Sequence, residues 1–190
     1  MPFELLKNWL QEEKIAGAPN PQQAVLSTAT LAAVPHSRVV AIRDISEEGF
    51  LFFTQKGTRK VEEINANPKA SMVFWFELKQ REVMIEGSIE ALSAMENEQY
   101  WGGYPREAQA RFLAYAPTSS KPIASKQILE DLKLTILNNS NEQLPMSPHY
   151  CGFRLKPSRF VFYAYRLDEL SDVHEFSAQN GVWHKKLLSP

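Results

Sequence analysis

The run S-R-V-V-A-I-R-D-I-S-E-E-G-F-L-F-F-T-Q-K-G-T-R-K, Ser37–Lys60, decides how the rest of the chain is read. Arg38–Arg43 is short and rich in β-branched residues, and Phe50–Thr54 is an unbroken apolar run. Such residues fit a pleated surface, and a strand without polar alternation is buried on both faces. The acidic segment Asp44–Gly49 between them predicts a hairpin-like turn. Thr58 predicts the cap of a helix through Asn65, stopped by Asn67-Pro68. Arg59 and Lys60 fall in the first turn of that helix, where the helix dipole already places partial positive charge. An anion held by these side chains and the free backbone N–H groups would relieve the conflict. Full solvation of the charges would relieve it as well. With Arg38 and Arg43 nearby in sequence, the stretch points to a phosphate site or to a solvated basic surface.

Outward from this stretch, Pro2–Ala16 places Phe3, Leu6 and Leu10 on one helical face, with Leu5 and Trp9 beside them. Gly17-Ala-Pro-Asn-Pro-Gln ends that helix. Ala24–Ala33 reads as a strand and Val34-Pro35-His36 as a turn. Downstream, Lys69–Glu77 and Arg81–Leu92 are two strands with a tight link. Five strands with short connections predict an antiparallel meander or barrel, because a parallel sheet needs a helix after almost every strand. Ser93–Trp101 is a helix opened by a capping box of Ser93 and Glu96 and broken by Gly102-Gly103. Helices over Pro105–Ala114 and Ile123–Leu137 follow, then a surface loop, Asn138–His149. The end returns to strands at Tyr150–Leu155, Arg159–Tyr165, Val173–Ser177 and Gly181–Leu187. With no repeat, low-complexity tract or linker, residues 1–190 read as a single domain, mainly β with a helical excursion over about 93–137 and C-terminal strands over 150–187.

The 190 residues are 44% hydrophobic, enough for a sizeable core. A net charge of −1 offers no electrostatic footprint for nucleic acid or an anionic membrane. Cys151 is the single cysteine, which excludes an intrachain disulfide and a thiolate metal cluster. Beside Gly152 in a strand-like run, it reads as a buried inert thiol. With no signal peptide and no apolar run of membrane-spanning length, the expected location is the cytoplasm. His36, His149, His174 and His184 are scattered without metal-ligand spacing. The glycine-rich phosphate loops, the G-x-S-x-G elbow and H-E-x-x-H are absent, which argues against hydrolase and metal-site readings.

The order of motifs resembles the pyridoxamine 5′-phosphate oxidase family of FMN-binding split barrels, over roughly Pro21–Pro190. S-R-V-V-A-I-R is similar to the family's R-x-V-L-L-K, and F-F-T-Q-K-G-T-R-K to its F-Y-T-N-x-x-S-R-K. N-P-K-A-S-M-V-F-W-F is similar to N-P-x-A-x-L-x-F-x-W, and R-E-V-M-I-E-G to R-Q-V-R-x-x-G. Thr118-Ser-Ser120 falls where the family has Q-S-S. Y-C-G-F-R-L-K-P-S-R-F-V-F-Y is similar to W-G-G-Y-R-V-x-P-x-x-x-E-F-W. None of these motifs is specific alone; their shared order and spacing carry the resemblance.

The resemblance implies an α+β fold built on an antiparallel Greek-key split barrel, with FMN at a homodimer interface. It implies that Arg38, Arg59 and Lys60 hold the FMN phosphate, and that Val39, Phe53 and Thr54 line the flavin site. Arg43 stands for a family lysine near cofactor and substrate, Glu82 for a glutamine at the cofactor, and Tyr163 for a tryptophan packed on it. Thr118 and Ser119 would reach the cofactor from the partner subunit. Taken without the family, Phe53 and Tyr163 read as core residues, and Thr118 and Ser119 as an ordinary polar loop.

Departures gather on the substrate side. Tyr100 matches a family tyrosine that binds substrate phosphate, whereas Tyr104 replaces an arginine and Ala108 a serine. Arg106 or Arg111 is the candidate for compensation. The family's R-L-H-D-R survives in part as Arg166-Leu-Asp168 and as a histidine, His174, in Asp172–Phe176. Arg166 is thus a candidate substrate contact and His174 a candidate proton-handling residue or an ordinary strand histidine. Glu82, a carboxylate near a phosphorylated cofactor, would need an offsetting cation such as Arg81. The implied activity is oxidation of pyridoxamine or pyridoxine 5′-phosphate to the aldehyde, by hydride transfer to flavin with dioxygen as acceptor. The alternatives are an FMN oxidoreductase acting on another small ring compound, and a split-barrel protein that binds flavin without catalysis.

Overall fold

The computed structural model describes residues 1–139 and 143–190; residues 140–142, within the predicted Asn138–His149 loop, lie outside it. The chain divides into two compact units. One comprises residues 1–52, 63–90 and 153–190, and the other residues 53–62 and 91–152.

The first unit is built on an antiparallel sheet. The strands are β1 (Gln23–Ala29), β2 (Pro35–Ala41), β3 (Asp44–Ser46), β4 (Gly49–Gln55), β5 (Lys69–Phe76), β6 (Arg81–Ala91), β7 (Tyr150–Ala164), β8 (Asp172–Gln179) and β9 (Val182–Leu188), of which residues 53–55, 91 and 150–152 belong to the second unit. The order is β2-β1-β5-β6-β7-β4-β3, with β8 on β7 and β9 on β8. Helix α1 (Pro2–Ile15) buries Phe3, Leu6 and Leu10. Phe3 packs on Phe50 and Phe160 with ring centroids 5.9 and 5.3 Å away. Phe50, Phe52, Phe74, Phe76, Phe160 and Phe162 are all fully buried and form the aromatic heart of the sheet. The antiparallel barrel architecture expected from short connections is the one observed: an α+β fold with a curled, split-barrel sheet.

Several boundaries differ from the sequence reading, each for a local reason. Val34-Pro35-His36 is not a turn: β2 begins at Pro35, which pairs with Ala29. Proline is tolerated as the first residue of a strand. The turn falls at Thr30–Val34, with Ala33 at φ 60° and the Thr30 N–H donating to Val34 O at 3.1 Å. Asp44–Ser46 is itself a strand, so the hairpin turn shrinks to Glu47-Glu48. The predicted strands Tyr150–Leu155 and Arg159–Tyr165 are one strand through Pro157. Gly87 permits it, since a Cβ there would lie 2.1 Å from Lys156 O. The helix predicted from Ile123 starts at Lys126, because Ser125 is fully extended at φ −159°.

The second unit carries the first turn of α2 (Arg59–Ala66), then α3 (Ala94–Gly102), α4 (Arg106–Tyr115) and α5 (Lys126–Asn138). The capping box at α3 forms as predicted, Ser93 accepting from Glu96 N and Glu96 accepting from Ser93 N. Trp101, Phe112, Ala116 and Tyr150 form this unit's core. No helix among the described residues is long and apolar enough to cross a membrane.

Candidate functional site

Helix α2 begins at Arg59, so Arg59 and Lys60 do occupy its first turn. Thr58, buried immediately before it, donates through its hydroxyl to Gln55 O at 2.8 Å. Lys60 Nζ donates to Thr54 Oγ1 at 2.9 Å and reaches Thr58 Oγ1 at 3.4 Å. These two hydroxyls hold the ammonium at the helix start, where the helix dipole and a cation together favour an anion. Gln55, which the sequence reading passed over, extends the chain of contacts. Its Oε1 accepts from Thr54 Oγ1 at 3.3 Å and from Ser119 Oγ at 3.5 Å, while its Nε2 donates to Tyr115 Oη at 2.9 Å. Thr118 donates to Tyr115 O at 3.3 Å. Burial pushes the Tyr115 phenol above its ordinary value, against the opposing effects of the Gln55 hydrogen bond and the Arg111 charge. Thr54, Lys60, Thr118 and Ser119, nominated separately, are thus gathered within one unit.

Phe53 lies in that unit's aromatic cluster, stacked on Tyr150 at 5.0 Å with ring planes 9° apart. Tyr100 and Tyr104 approach it at 5.1 and 6.1 Å. Tyr104 also meets Trp101 and Tyr150, so the residue replacing the family's arginine is packed among rings. Arg106 donates to Leu137 O at 2.8 Å. Arg111 lines a groove with Tyr115, Lys126 and Glu130.

In the first unit, Arg38 is held from several sides. Its Nη1 donates to Thr28 Oγ1 at 2.7 Å and Leu26 O at 3.2 Å, and its Nη2 lies 3.6 Å from Glu63 Oε2. Glu63 is only 4% exposed. It accepts from Thr28 Oγ1 at 2.5 Å and faces His36 Nδ1 at 2.6 Å. Burial alone would raise its pKa. Hydrogen bonds to Thr28 and His36 and the charges of His36 and Arg38 outweigh that, and hold the carboxyl below its ordinary value. Neither Glu63 nor its pairing with His36 was anticipated, since strand and helix residues this far apart in sequence carry no spacing signal.

Val39, Glu82 and Tyr163 share the sheet face opposite the phenylalanine core. Alternation puts them there: Arg38 pairs with Leu26 and Val39 with Val25, Val25 with Val73, and Trp75 with Glu82. Tyr163 packs on Tyr165 at 4.4 Å, and Tyr165 on Trp75 at 5.7 Å. Arg81 does not offset Glu82. Being adjacent in a strand, it points to the other face, where it pairs with Glu12 and lies over the Trp9 ring. Glu82 instead hydrogen-bonds Tyr165, whose pKa is raised by burial first and by the Glu82 charge second.

His174 also lies on that other face, since it pairs with Phe162 whereas Tyr163 pairs with Val173. It shares a cavity of about 340 Å³ with Trp9, Arg81, Arg166 and Lys185. Its Nδ1 is buried without a hydrogen-bond partner, and Arg166 is paired with Asp172 at 2.9 Å. Arg43, exposed, lines a separate cavity of about 510 Å³ with Lys7, Lys14 and Asp44. Cys151 is buried, and burial pushes its thiol to about 11 against the opposing charges of Lys56 and Lys60. No group of three or more metal-ligating side chains occurs among the described residues.

Comparison with known proteins agrees with this architecture. Residues 10–162 match the family described as pyridoxamine 5′-phosphate oxidase. Residues 150–190 match a region described as the pyridoxine 5′-phosphate oxidase C-terminal dimerisation region. A pyridoxine/pyridoxamine 5′-phosphate oxidase from Alteromonas mediterranea is 36% identical over 192 residues, covering 100% of this chain and 89% of the relative. One of the same name from Synechocystis is 33% identical, covering 100% and 88%. The crystal structure of PhzG from Burkholderia lata in complex with tetrahydrophenazine-1-carboxylic acid superimposes with a TM-score of 0.89 at 27% identity, covering 100% of this chain and 92% of that one. A pyridoxamine 5′-phosphate oxidase-related, FMN-binding protein from Nostoc punctiforme shares the fold with a TM-score of 0.81 at 16% identity, covering 98% and 96%.

Proposed function

Because this chain belongs to the pyridoxamine 5′-phosphate oxidase family, we propose that it is a homodimeric, FMN-dependent oxidase of a small ring substrate. The observation that carries the reading is the donor set at the start of α2. An ammonium fixed 2.9 Å from Thr54 Oγ1 and a second cation at Arg59, both in the first turn of a helix, suit a phosphomonoester. Lys60, Arg59 and Arg38 are the proposed phosphate ligands. Val39, Phe53, Thr54, Glu82 and Tyr163 are the proposed flavin contacts; Thr118 and Ser119, although Ser119 also lies 3.5 Å from Gln55 of its own chain, are proposed to reach the cofactor of a second copy. The C-terminal match to a dimerisation region supports that second copy.

When bound, FMN supplies the hydride acceptor and the route to dioxygen. The chain's residues bind and orient. Arg59 and Lys60 neutralise the phosphate. Tyr163, backed by Tyr165, offers an aromatic surface, and Arg43, Tyr100, Tyr104 and Arg166 are the candidate substrate contacts. No strong base is required, in keeping with the scattered histidines. His174, on the face opposite Tyr163, is given no part in holding the flavin of its own chain.

Two substrate classes compete. The names of relatives at 33–36% identity support pyridoxamine or pyridoxine 5′-phosphate. The packing of Tyr104 among Phe53, Trp101 and Tyr150 favours an unphosphorylated ring, because no guanidinium stands at that position. The ligand seen in the PhzG complex is of that second class. Purified protein should be yellow and should bleach on anaerobic addition of its substrate. Bleaching by pyridoxamine 5′-phosphate, with aldehyde and peroxide formed in air, selects the first class. Bleaching only by a partly reduced ring carboxylate selects the second. A colourless protein with no measurable FMN affinity would overturn the reading, and a yellow one that nothing reduces would leave a non-catalytic flavin binder.

A further inference from the structure

Glu63 is the most buried charged group beside a residue that the proposed function uses. It sits on α2, three and four residues after Lys60 and Arg59, with its side chain 4% exposed. Its partners come from two adjacent strands. Thr28 and His36 are opposite each other in the β1–β2 ladder, as are Leu26 and Arg38. The carboxylate takes the Thr28 hydroxyl at 2.5 Å, faces His36 Nδ1 at 2.6 Å and lies 3.6 Å from Arg38 Nη2. Thr28 Oγ1 at the same time accepts from Arg38 Nη1 at 2.7 Å, so Glu63 reaches the guanidinium directly and through Thr28. Leu26 O takes a further bond from Nη1 at 3.2 Å. A carboxylate withdrawn from water is costly unless paired, and an arginine bound on several edges has lost the rotamer freedom that a phosphate would otherwise have to remove.

We propose that Glu63 is a positioning residue for phosphate recognition: it fixes the plane of the Arg38 guanidinium, and His36 in turn fixes the carboxylate. The inference rests on the reading that Arg38 grips the FMN phosphate. Two opposite consequences follow from removing the carboxylate. Loss of a negative charge favours an anion, and loss of the clamp disfavours it. Loss of the clamp is expected to dominate, because Glu63 and Thr28 together set the place of the guanidinium, and tighter FMN binding by Glu63→Gln would overturn the proposal.

Riboflavin has the ring of FMN without its phosphate, and therefore separates positioning from general folding. Flavin fluorescence quenching would give the Kd of FMN and of riboflavin for the wild type, Glu63→Gln, His36→Asn and Arg38→Ala. Glu63→Gln is expected to weaken FMN about tenfold, on the scale by which outer partners tune inner ligands, with riboflavin unchanged. His36→Asn should weaken FMN in the same sense and by less than Glu63→Gln, and stands as the test if Glu63→Gln does not fold. Equal loss for both flavins, or no loss for either, overturns the positioning role. If Arg38→Ala abolishes the preference for FMN while Glu63→Gln and His36→Asn keep it, the positioning role alone fails. If Arg38→Ala keeps the preference too, Arg38 is not at the phosphate and the reading beneath the inference fails with it.

Discussion

Phe53 lies flat on Tyr150, ring centroids 5.0 Å apart and planes 9° from parallel. The stack is possible because the next residue but one, Gly152, has no side chain. A Cβ there would sit 2.4 Å from Phe53 Cε1 and 2.6 Å from Leu92 Cδ1. A strand glycine thus sets the position of a ring that the resemblance places at the flavin.

Gly152→Ala should push Phe53 off Tyr150 and cost about 1–3 kcal/mol of stability, the scale of overpacking in a close-packed core. Urea denaturation would measure it as a lower midpoint with an unchanged slope. An unchanged midpoint would mean that the ring has room to move.

Gly87→Ala should be the more severe change of the two. The added Cβ would meet backbone, Lys156 O at 2.1 Å and Pro157 Cα at 3.0 Å, and backbone in a sheet cannot swing aside as a ring can. A loss greater than that of Gly152→Ala in the same denaturation experiment is the expected result.

Lys60→Met removes the ammonium and keeps much of the stem. If the phosphate is bound there, FMN affinity should fall by about 1.5–3 kcal/mol, the value of a hydrogen bond to a charged group, which is roughly ten- to a hundredfold. Riboflavin affinity should stay within about twofold on the same principle, because riboflavin has no phosphate for the ammonium to bind. Isothermal titration with each flavin tests this.

Acid should weaken the fold through Glu63. Its carboxyl is held below the ordinary value of about 4.3 in the folded chain. A depressed folded value means that the unfolded state takes up the proton first. The contribution is therefore complete above about pH 4.3 and is lost as pH falls through the folded value. Glu63→Gln should flatten the acid limb of a stability-versus-pH curve, and an unchanged limb would assign acid sensitivity elsewhere.

Cys151 should not react with a disulfide reagent in the native protein near pH 8, because burial holds its thiol at about 11. One equivalent should react on unfolding in guanidinium. Rapid native labelling would show that the strand opens readily.

Local chemistry made much of this fold legible in the sequence. The apolar run Phe50–Thr54, the Ser93–Glu96 capping box and the Asn67-Pro68 stop act over a few residues, so their signals survive without tertiary context. Lys60 was nominated for the same reason, since a cation in the first turn of a helix is conspicuous in sequence alone. Pro157 misled because proline reads as a strand break, and only the approach of Gly87 from another strand shows why the strand continues. Arg81 misled as a partner for Glu82 because neighbours in sequence lie on opposite faces once the segment is pleated.

By itself the sequence determined the elements, the antiparallel arrangement and the cationic start of α2, all of which follow from short-range sterics, capping and hydrophobic period. Tertiary structure alone decided the partners. It brought Glu63 to Thr28, His36 and Arg38, Ser119 to Gln55, and Tyr104 into the rings around Phe53. It also sent His174 and Tyr163 to opposite faces of one sheet. The physical reason is that burial and pairing act through space: a glutamate and a histidine 27 positions apart have no periodicity in common until the sheet and helix that carry them meet. The basic stretch Ser37–Lys60 was visible as sequence, but how its arginine is held depended on a carboxylate beyond its end.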